Sequence, residues 1–340
     1  MNQKVLNQIA LAMVAKGRGI LAADESTGTI AKRFDTIKVE NTEENRRSYR
    51  EMLLTGKDAE KYISGVIFYD ETLFQKCSDG TPFTKYLESR GIVPGIKVDL
   101  GAKPLPAGAD GETVTEGLDG LRERLTKYHQ AGARFAKWRG VITIGHGAPS
   151  HAAIHTNAHA LARYAALCQE AGIVPIVEPE VLMDGDNTIE VCEHVTGWIL
   201  QETFAELATQ KVLLEGMILK PNMVISGKQC KVQADRKTVA AATLRTLKRY
   251  VPSAVPGIAF LSGGQSDEDA TAHLDEMHRL GGGPWALSFS YGRALQAAAL
   301  KAWGGRQENV AAGQRAFLHR ARMNSLAAVG NWQQTLEKAA

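Results

Sequence analysis

The sequence predicts a closed (β/α)8 barrel, the TIM-barrel architecture, on three observations. Eight short apolar runs follow one another along the chain, segments of helical period separate them, and charged residues collect where the runs end. The runs are Gly19–Ala23, Gly65–Tyr69, Val93–Lys97, Arg134–Trp138, Ile173–Val177, Gly216–Lys220, Gly257–Leu261 and Trp285–Phe289. Among the intervening segments, Glu116–Ala131, His151–Ala171, Thr188–Gln210, Lys237–Tyr250 and Asp267–Leu280 read as helices. Strands alternating with helices imply a parallel sheet, because parallel neighbours need crossover connections. A doubly wound open sheet is the rival, but no G-x-G-x-x-G or Walker A segment follows an early strand.

At 340 residues the chain fits one barrel domain, residues 1–340, opened by an N-terminal helix and closed by a short helical tail. Neither a repeat nor a low-complexity linker divides it, and the Gly- and Pro-rich stretch Lys103–Thr113 reads as a long loop after the third strand. Hydrophobic residues at 44% and charged residues at 23% supply a full core. The net charge of +3 is too balanced for a nucleic-acid footprint. The apolar stretch Ile9–Val14 is soon closed by Lys16 and Arg18, so it reads as a first helix and not a signal. With no apolar run near the roughly 20 residues of a membrane span, the expectation is a soluble protein with no membrane partner. Cys77, Cys168, Cys192 and Cys230 form no Cys-x-x-Cys pair, which suits a cytoplasmic location.

Parallel barrels build their sites at the C-terminal ends of the strands. Here those ends read Asp24-Glu25-Ser26, Lys97-Val98-Asp99, Lys137-Trp138-Arg139, Glu178-Pro179-Glu180, Lys220-Pro221-Asn222, Ser262-Gly263-Gly264 and Ser290-Tyr291-Gly292-Arg293. Because side chains alternate along a strand, Lys137 shares a face with Arg139, Glu178 with Glu180, and Ile218 with Lys220. Lys220 closes an apolar strand, where low dielectric and a nearby cation such as Lys137 favour the neutral amine that attacks a ketone; the alternative is a partner for Glu178. Glu178 and Glu180 read equally as an acid/base pair or as salt-bridge partners of Lys137 and Lys220. Ser262, Gly263 and Gly264 leave backbone N–H groups uncovered, and Arg293 can grip a phosphate in bidentate fashion.

His151, His155 and His159 fall at i, i+4 and i+8 along one helix face, with His146 just upstream. No acid is interleaved with them, so they read as exposed histidines of an outer helix, and no metal ligand is assigned.

Taken together, Leu21–Thr27, Gly95–Asp99, Phe135–Arg139, Val177–Glu180, Leu219–Asn222, Phe260–Gln265 and Phe289–Arg293 resemble class I fructose-1,6-bisphosphate aldolase, in order along the chain from about Gly17 to Leu326. The resemblance implies metal-independent aldol cleavage of fructose 1,6-bisphosphate to dihydroxyacetone phosphate and glyceraldehyde 3-phosphate, with no cofactor. It makes Lys220 the Schiff-base lysine, Glu178 the main general acid/base, and Asp24 the carboxylate that orients substrate hydroxyls. Lys137 becomes a second, charge-stabilising lysine with Glu180 as its electrostatic partner. Ser262, Gly263, Gly264 and Arg293 match the clamp for the triose phosphate, and Lys97, Arg139, Ser26 and Arg33 the part that receives the other phosphate. It also implies sugar-phosphate ligands and a homo-oligomer, since family members are often tetramers. Two features depart from the pattern. No tyrosine follows Tyr291, so help from a terminal tyrosine is not expected, and Gly28-Thr29-Ile30 carries threonine where serine is common. A transaldolase-like lyase needs only one phosphate grip, against which Lys97 and Arg139 count. An isomerase leaves Lys220 and Lys137 surplus, and a non-catalytic sensor leaves no reason for Asp24, Glu178 and Lys220 together.

Overall fold

The computed structural model describes residues 2–145 and 147–338. Its strands are β1 (Gly19–Ala23), β2 (Ile63–Phe68), β3 (Val93–Lys97), β4 (Ala102–Pro104), β5 (Thr113–Thr115), β6 (Phe135–Ile142), β7 (Val174–Val181), β8 (Ile218–Leu219), β9 (Gly257–Phe260) and β10 (Ala286–Tyr291). All but β4 and β5 pair in parallel, in the order β1-β2-β3-β6-β7-β8-β9-β10, and the sheet closes where Ile20 meets Ser290 and Leu21 meets Tyr291. The closed barrel rules out the open doubly wound sheet.

Alternation along each strand sorts the core into two layers. Ile20, Ala22, Ile67, Phe135, Val174, Ile176, Ile218 and Ala259 share one apolar cluster inside the barrel, while Leu21, Ala23, Val66, Phe68, Ala136, Val177, Leu219 and Phe260 belong to the larger cluster packed beneath the helices. Helix Gln3–Met13 closes the lower end by adding Leu6, Ala10 and Met13 to the inner cluster. Phe135 fills the barrel cross-section there. A Cβ on Gly95 would lie 2.3 Å from its ring, so the glycine is what admits the phenyl group.

The predicted strand boundaries shift in informative places. Strands β6 and β7 run on to Ile142 and Val181, because the charged mouth residues continue the ladder: Arg139 pairs with Glu178 and Val141 with Glu180. A charged residue therefore marks the rim of the cavity here and not the end of the strand. The sixth predicted run is shorter than expected, since Leu214–Gly216 forms a 3-10 turn and β8 keeps only Ile218 and Leu219. Lys220 lies just past it, held by its N–H donating to the Val177 carbonyl at 2.8 Å. The stretch read as a loop after β3 is bounded by a hairpin, in which β4 and β5 pair antiparallel with Lys103 opposite Val114. Thr115 fastens that hairpin to the mouth by donating to the Arg139 carbonyl at 2.6 Å.

Candidate active site

The inward parity that carries the apolar plug also carries the charges. Two residues beyond Ala22 comes Asp24, two beyond Phe135 comes Lys137, two beyond Ile176 comes Glu178, and two beyond Ile218 comes Lys220. Each strand thus passes from hydrocarbon to charge as it reaches the C-terminal end. These residues line an open cavity of about 1430 Å³. Glu180, Lys97, Arg139, Ser26, Arg33, Ser262, Gly263, Gly264 and Arg293 line the same cavity, so the structure brings together every site residue expected from the sequence.

At its floor, Glu178 stands between two lysines. One carboxylate oxygen is 3.2 Å from Lys220 Nζ, and the other is 3.4 Å from Lys137 Nζ with no hydrogen-bond partner among the described residues. Lys137 Nζ also reaches Asp24 at 2.8 Å and Asp99 at 3.9 Å. Lys220 and Lys137 are each 4% exposed and Glu178 3%, so the charges interact with little water between them. Burial alone would raise the Asp24 carboxyl, yet Lys137, with Lys220 and Lys97, outweighs burial and holds it well below the carboxylate range. Burial alone would likewise lower Lys137, but Asp24, Glu178 and Asp99 push it above the ordinary lysine value and keep it cationic.

Glu180 pairs with Arg139 and not with Lys137. Register explains this, because Glu180 lies one inward step above Glu178, level with the upper part of β6. Lys97 Nζ is held by Asp99, at 2.8 Å from both its carboxylate and its carbonyl oxygen. Arg33 pairs with Glu25, whose carboxylate also lies 3.4 Å from buried Arg50. Ser26 caps helix Thr27–Asp35, its hydroxyl accepting from Thr29 N–H at 3.3 Å. Across the cavity, Gly263 and Gly264 both take left-handed conformations, φ +57° and +80°. Arg293 begins helix Arg293–Trp303 beside them, and a Cβ on Gly264 would stand 2.8 Å from its guanidinium and 3.0 Å from Lys228 Nζ.

Sequence reasoning put Asp99 and Glu25 at strand ends without giving either a role, and missed Lys228 as part of this cavity. Asp99 shares the inward parity of Lys97 and was open to the alternation argument; Lys228 arrives on a loop far past β8, where no local pattern signals it. Among the titratable residues outside the cavity, the histidine series meets acids after all. His155 and His159 face Glu202 and Glu206 of the neighbouring helix Ile189–Thr209, while His146 lies outside the described residues.

The comparisons with known proteins decide the family. The family model for class-I fructose-bisphosphate aldolase matches residues 5–340. The chain belongs to that family. Relatives include a probable class 1 fructose-bisphosphate aldolase of Xanthomonas campestris, 60% identical over 98% of this chain and 100% of its own length. The non-muscle type fructose-bisphosphate aldolase of Lethenteron camtschaticum is 55% identical over 97% of this chain and 91% of its own. Among solved structures, fructose-bisphosphate aldolase from Plasmodium falciparum, determined in complex with TRAP and a small-molecule inhibitor, superposes with a TM-score of 0.96 at 52% identity, covering 97% of this chain and 96% of that one. This class I aldolase is thus a carbon-carbon lyase of glycolysis that cleaves fructose 1,6-bisphosphate reversibly. The class is of the Schiff-base type and binds sugar phosphates. No helix among the described residues is long and apolar enough to cross a membrane.

Proposed function

We propose that Lys220 is the covalent catalyst of this aldolase and that Glu178 moves its protons. The observation that carries the reading is the buried amine 3.2 Å from a carboxylate whose second oxygen has no hydrogen-bond partner among the described residues, at the floor of a cavity with cationic side chains on both flanks. After giving a proton to Glu178, the Lys220 amine attacks the substrate ketone and forms a carbinolamine. Glu178 then returns the proton to the departing hydroxyl, water leaves, and a protonated imine remains. A carboxylate, Glu178 or Asp24, takes the proton of the hydroxyl on the far side of the scissile bond. That bond breaks as its electron pair moves into the imine, the aldehyde departs, and an enamine stays on Lys220. Protonation of the enamine and hydrolysis of the imine release dihydroxyacetone phosphate and regenerate the amine.

Asp24, kept ionised by Lys137, suits an orienting and accepting role, and cationic Lys137 stabilises negative charge on substrate oxygens. Glu180 acts through Arg139, holding that guanidinium at the rim. Ser262, Gly263, Gly264 and Arg293, with Lys228 alongside, form one phosphate grip. Lys97, Arg139, Ser26 and Arg33 form the other, with Asp99, Glu180 and Glu25 keeping their charges in place. We read the whole chain as one catalytic domain acting without a metal, in the cytosol and as a homo-oligomer. Two of its Arabidopsis thaliana relatives are named cytosolic aldolases.

Borohydride reduction after incubation with dihydroxyacetone phosphate and a chelator tests the reading. Added mass on the Lys220 peptide, with loss of activity, is the expected result. No adduct, or activity abolished by the chelator alone, overturns it.

A further inference from the structure

On the outer wall of the barrel, helices His151–Glu170 and Ile189–Thr209 run side by side with a constant offset. His155 Nδ1 lies 2.9 Å from Glu202 and 3.7 Å from Glu206, and His159 Nδ1 lies 3.0 Å from the other oxygen of Glu206. Each pair is spaced i, i+4 on its helix, so two imidazoles and two carboxylates converge from two rigid elements. Ligand atoms of His155, Glu202 and Glu206 all lie within 4.8 Å of one another.

We propose that His155, Glu202 and Glu206, with His159 at the edge, form a binding site for a divalent transition-metal ion of the zinc type. Three observations favour a cation over simple ion pairing. First, the spacing fits. Nitrogen and oxygen ligands at about 2.0–2.2 Å in a tetrahedron stand roughly 3.4 Å apart, and the separations of 2.9 and 3.7 Å bracket that value. Second, Glu202 and Glu206 form no ion pair with a lysine or arginine among the described residues, so the two carboxylates face imidazoles and no permanent cation. Third, the donor set is mixed nitrogen and oxygen, which suits zinc and its neighbours better than calcium or magnesium. The side chains are half exposed, at 48% for His155 and 43% for His159, so an ion can enter from solvent and keep water in any remaining position.

A metal here competes with protons. The groups facing His155 are Glu202 and Glu206 across the helix pair, with His151 and His159 stacked above and below at 5.9 and 6.3 Å between ring centroids. The two carboxylates raise the His155 imidazole above its ordinary value, first through the Glu202 hydrogen bond. Deprotonating it is part of the binding cost, and affinity falls as pH drops below that raised value. None of its four residues lines the cavity, so the site would join two outer helices without entering the aldol reaction.

Calorimetric titration of the whole protein with Zn²⁺, with chelexed buffer and reduced cysteines, tests the assignment. One ion per chain is expected, with affinity lowered by at least about tenfold in His155→Ala and in Glu206→Gln. His319→Ala, on another face, should bind as the parent does, and aldol cleavage should be equal in all three variants. Affinity should also weaken from pH 7.5 to pH 6. Substitution with Co²⁺ should give the visible absorption of a four- or five-coordinate ion, lost in Glu206→Gln. Undetectable binding, or binding equally tight in His155→Ala and Glu206→Gln, overturns the proposal and leaves the cluster as a pair of ordinary interhelical ion pairs.

Discussion

The lower and upper ends of the barrel are made from the same strands and the same inward-facing parity, yet they hold opposite chemistry. Below, Leu6, Met13, Ile20, Phe135, Ile176 and Ile218 exclude water and fill the interior with hydrocarbon. Above, one step further along each strand, Asp24, Lys137, Glu178 and Lys220 crowd charges into a space almost as well shielded. The lower end supports the fold through burial, at about 25 cal/mol per Å² of apolar surface removed from water. The upper end costs desolvation and is offset by mutual pairing. The contrast separates residues that hold the barrel closed from residues that make it reactive.

Five experiments break or sharpen that division. The largest effect belongs to Lys220→Met, which should lower kcat on the order of 10⁴–10⁶ while leaving the melting temperature intact, because the replacement is apolar and Glu178 keeps Lys137. Steady-state assays with thermal unfolding check this, and retention of more than a trace of turnover would end the covalent reading. Lys137→Met should cost both functions. Losing the charge that balances Asp24, Glu178 and Asp99 should cut kcat on the order of 10²–10³ and destabilise by roughly 3–5 kcal/mol in urea unfolding. At the other end, Phe135→Ala should destabilise by about 3–5 kcal/mol with kcat per folded molecule unchanged, and a selective loss of turnover would blur the two ends.

His273 probes the region behind the phosphate loop, where its ring meets Gln265 at 2.6 Å. Burial pushes its pKa down to about 4, against roughly 6.5 when unfolded. The unfolded chain therefore binds a proton that the native chain refuses between these values. Its contribution is fully present above about pH 6.5 and is lost as pH falls toward 4, amounting to about 3 kcal/mol. Denaturation at stepped pH should show this acid slope, flattened in His273→Gln. The smallest effect should come from Arg293→Ala, raising KM by about tenfold to a hundredfold with less change in kcat. A fall in kcat alone would place Arg293 in the chemistry and not in the phosphate grip.

Much of the site is legible before folding because the cues are local. Asp24, Lys137, Glu178 and Lys220 each follow an apolar residue at i−2, and alternation suffices to face them inward. Asp99 follows Lys97 at i−2 and shares its inward parity, so its place beside Lys97 was recoverable. Lys228 obeys no such rule, since a loop of irregular path brings it to Gly264. The hairpin of β4 and β5 also escaped notice, because three-residue strands leave too short a period to read.

The sequence by itself determined the barrel, the parity of its strands and the family, because periodicity and short motifs are properties of neighbouring residues. Tertiary structure alone decided partners. The stagger between β6 and β7 assigns Glu180 to Arg139 and Glu178 to both lysines, and the offset between two outer helices sets His155 against Glu202. Such pairings depend on how strands shear and helices pack across distant parts of the chain, and a side chain's own neighbours in sequence carry no record of that.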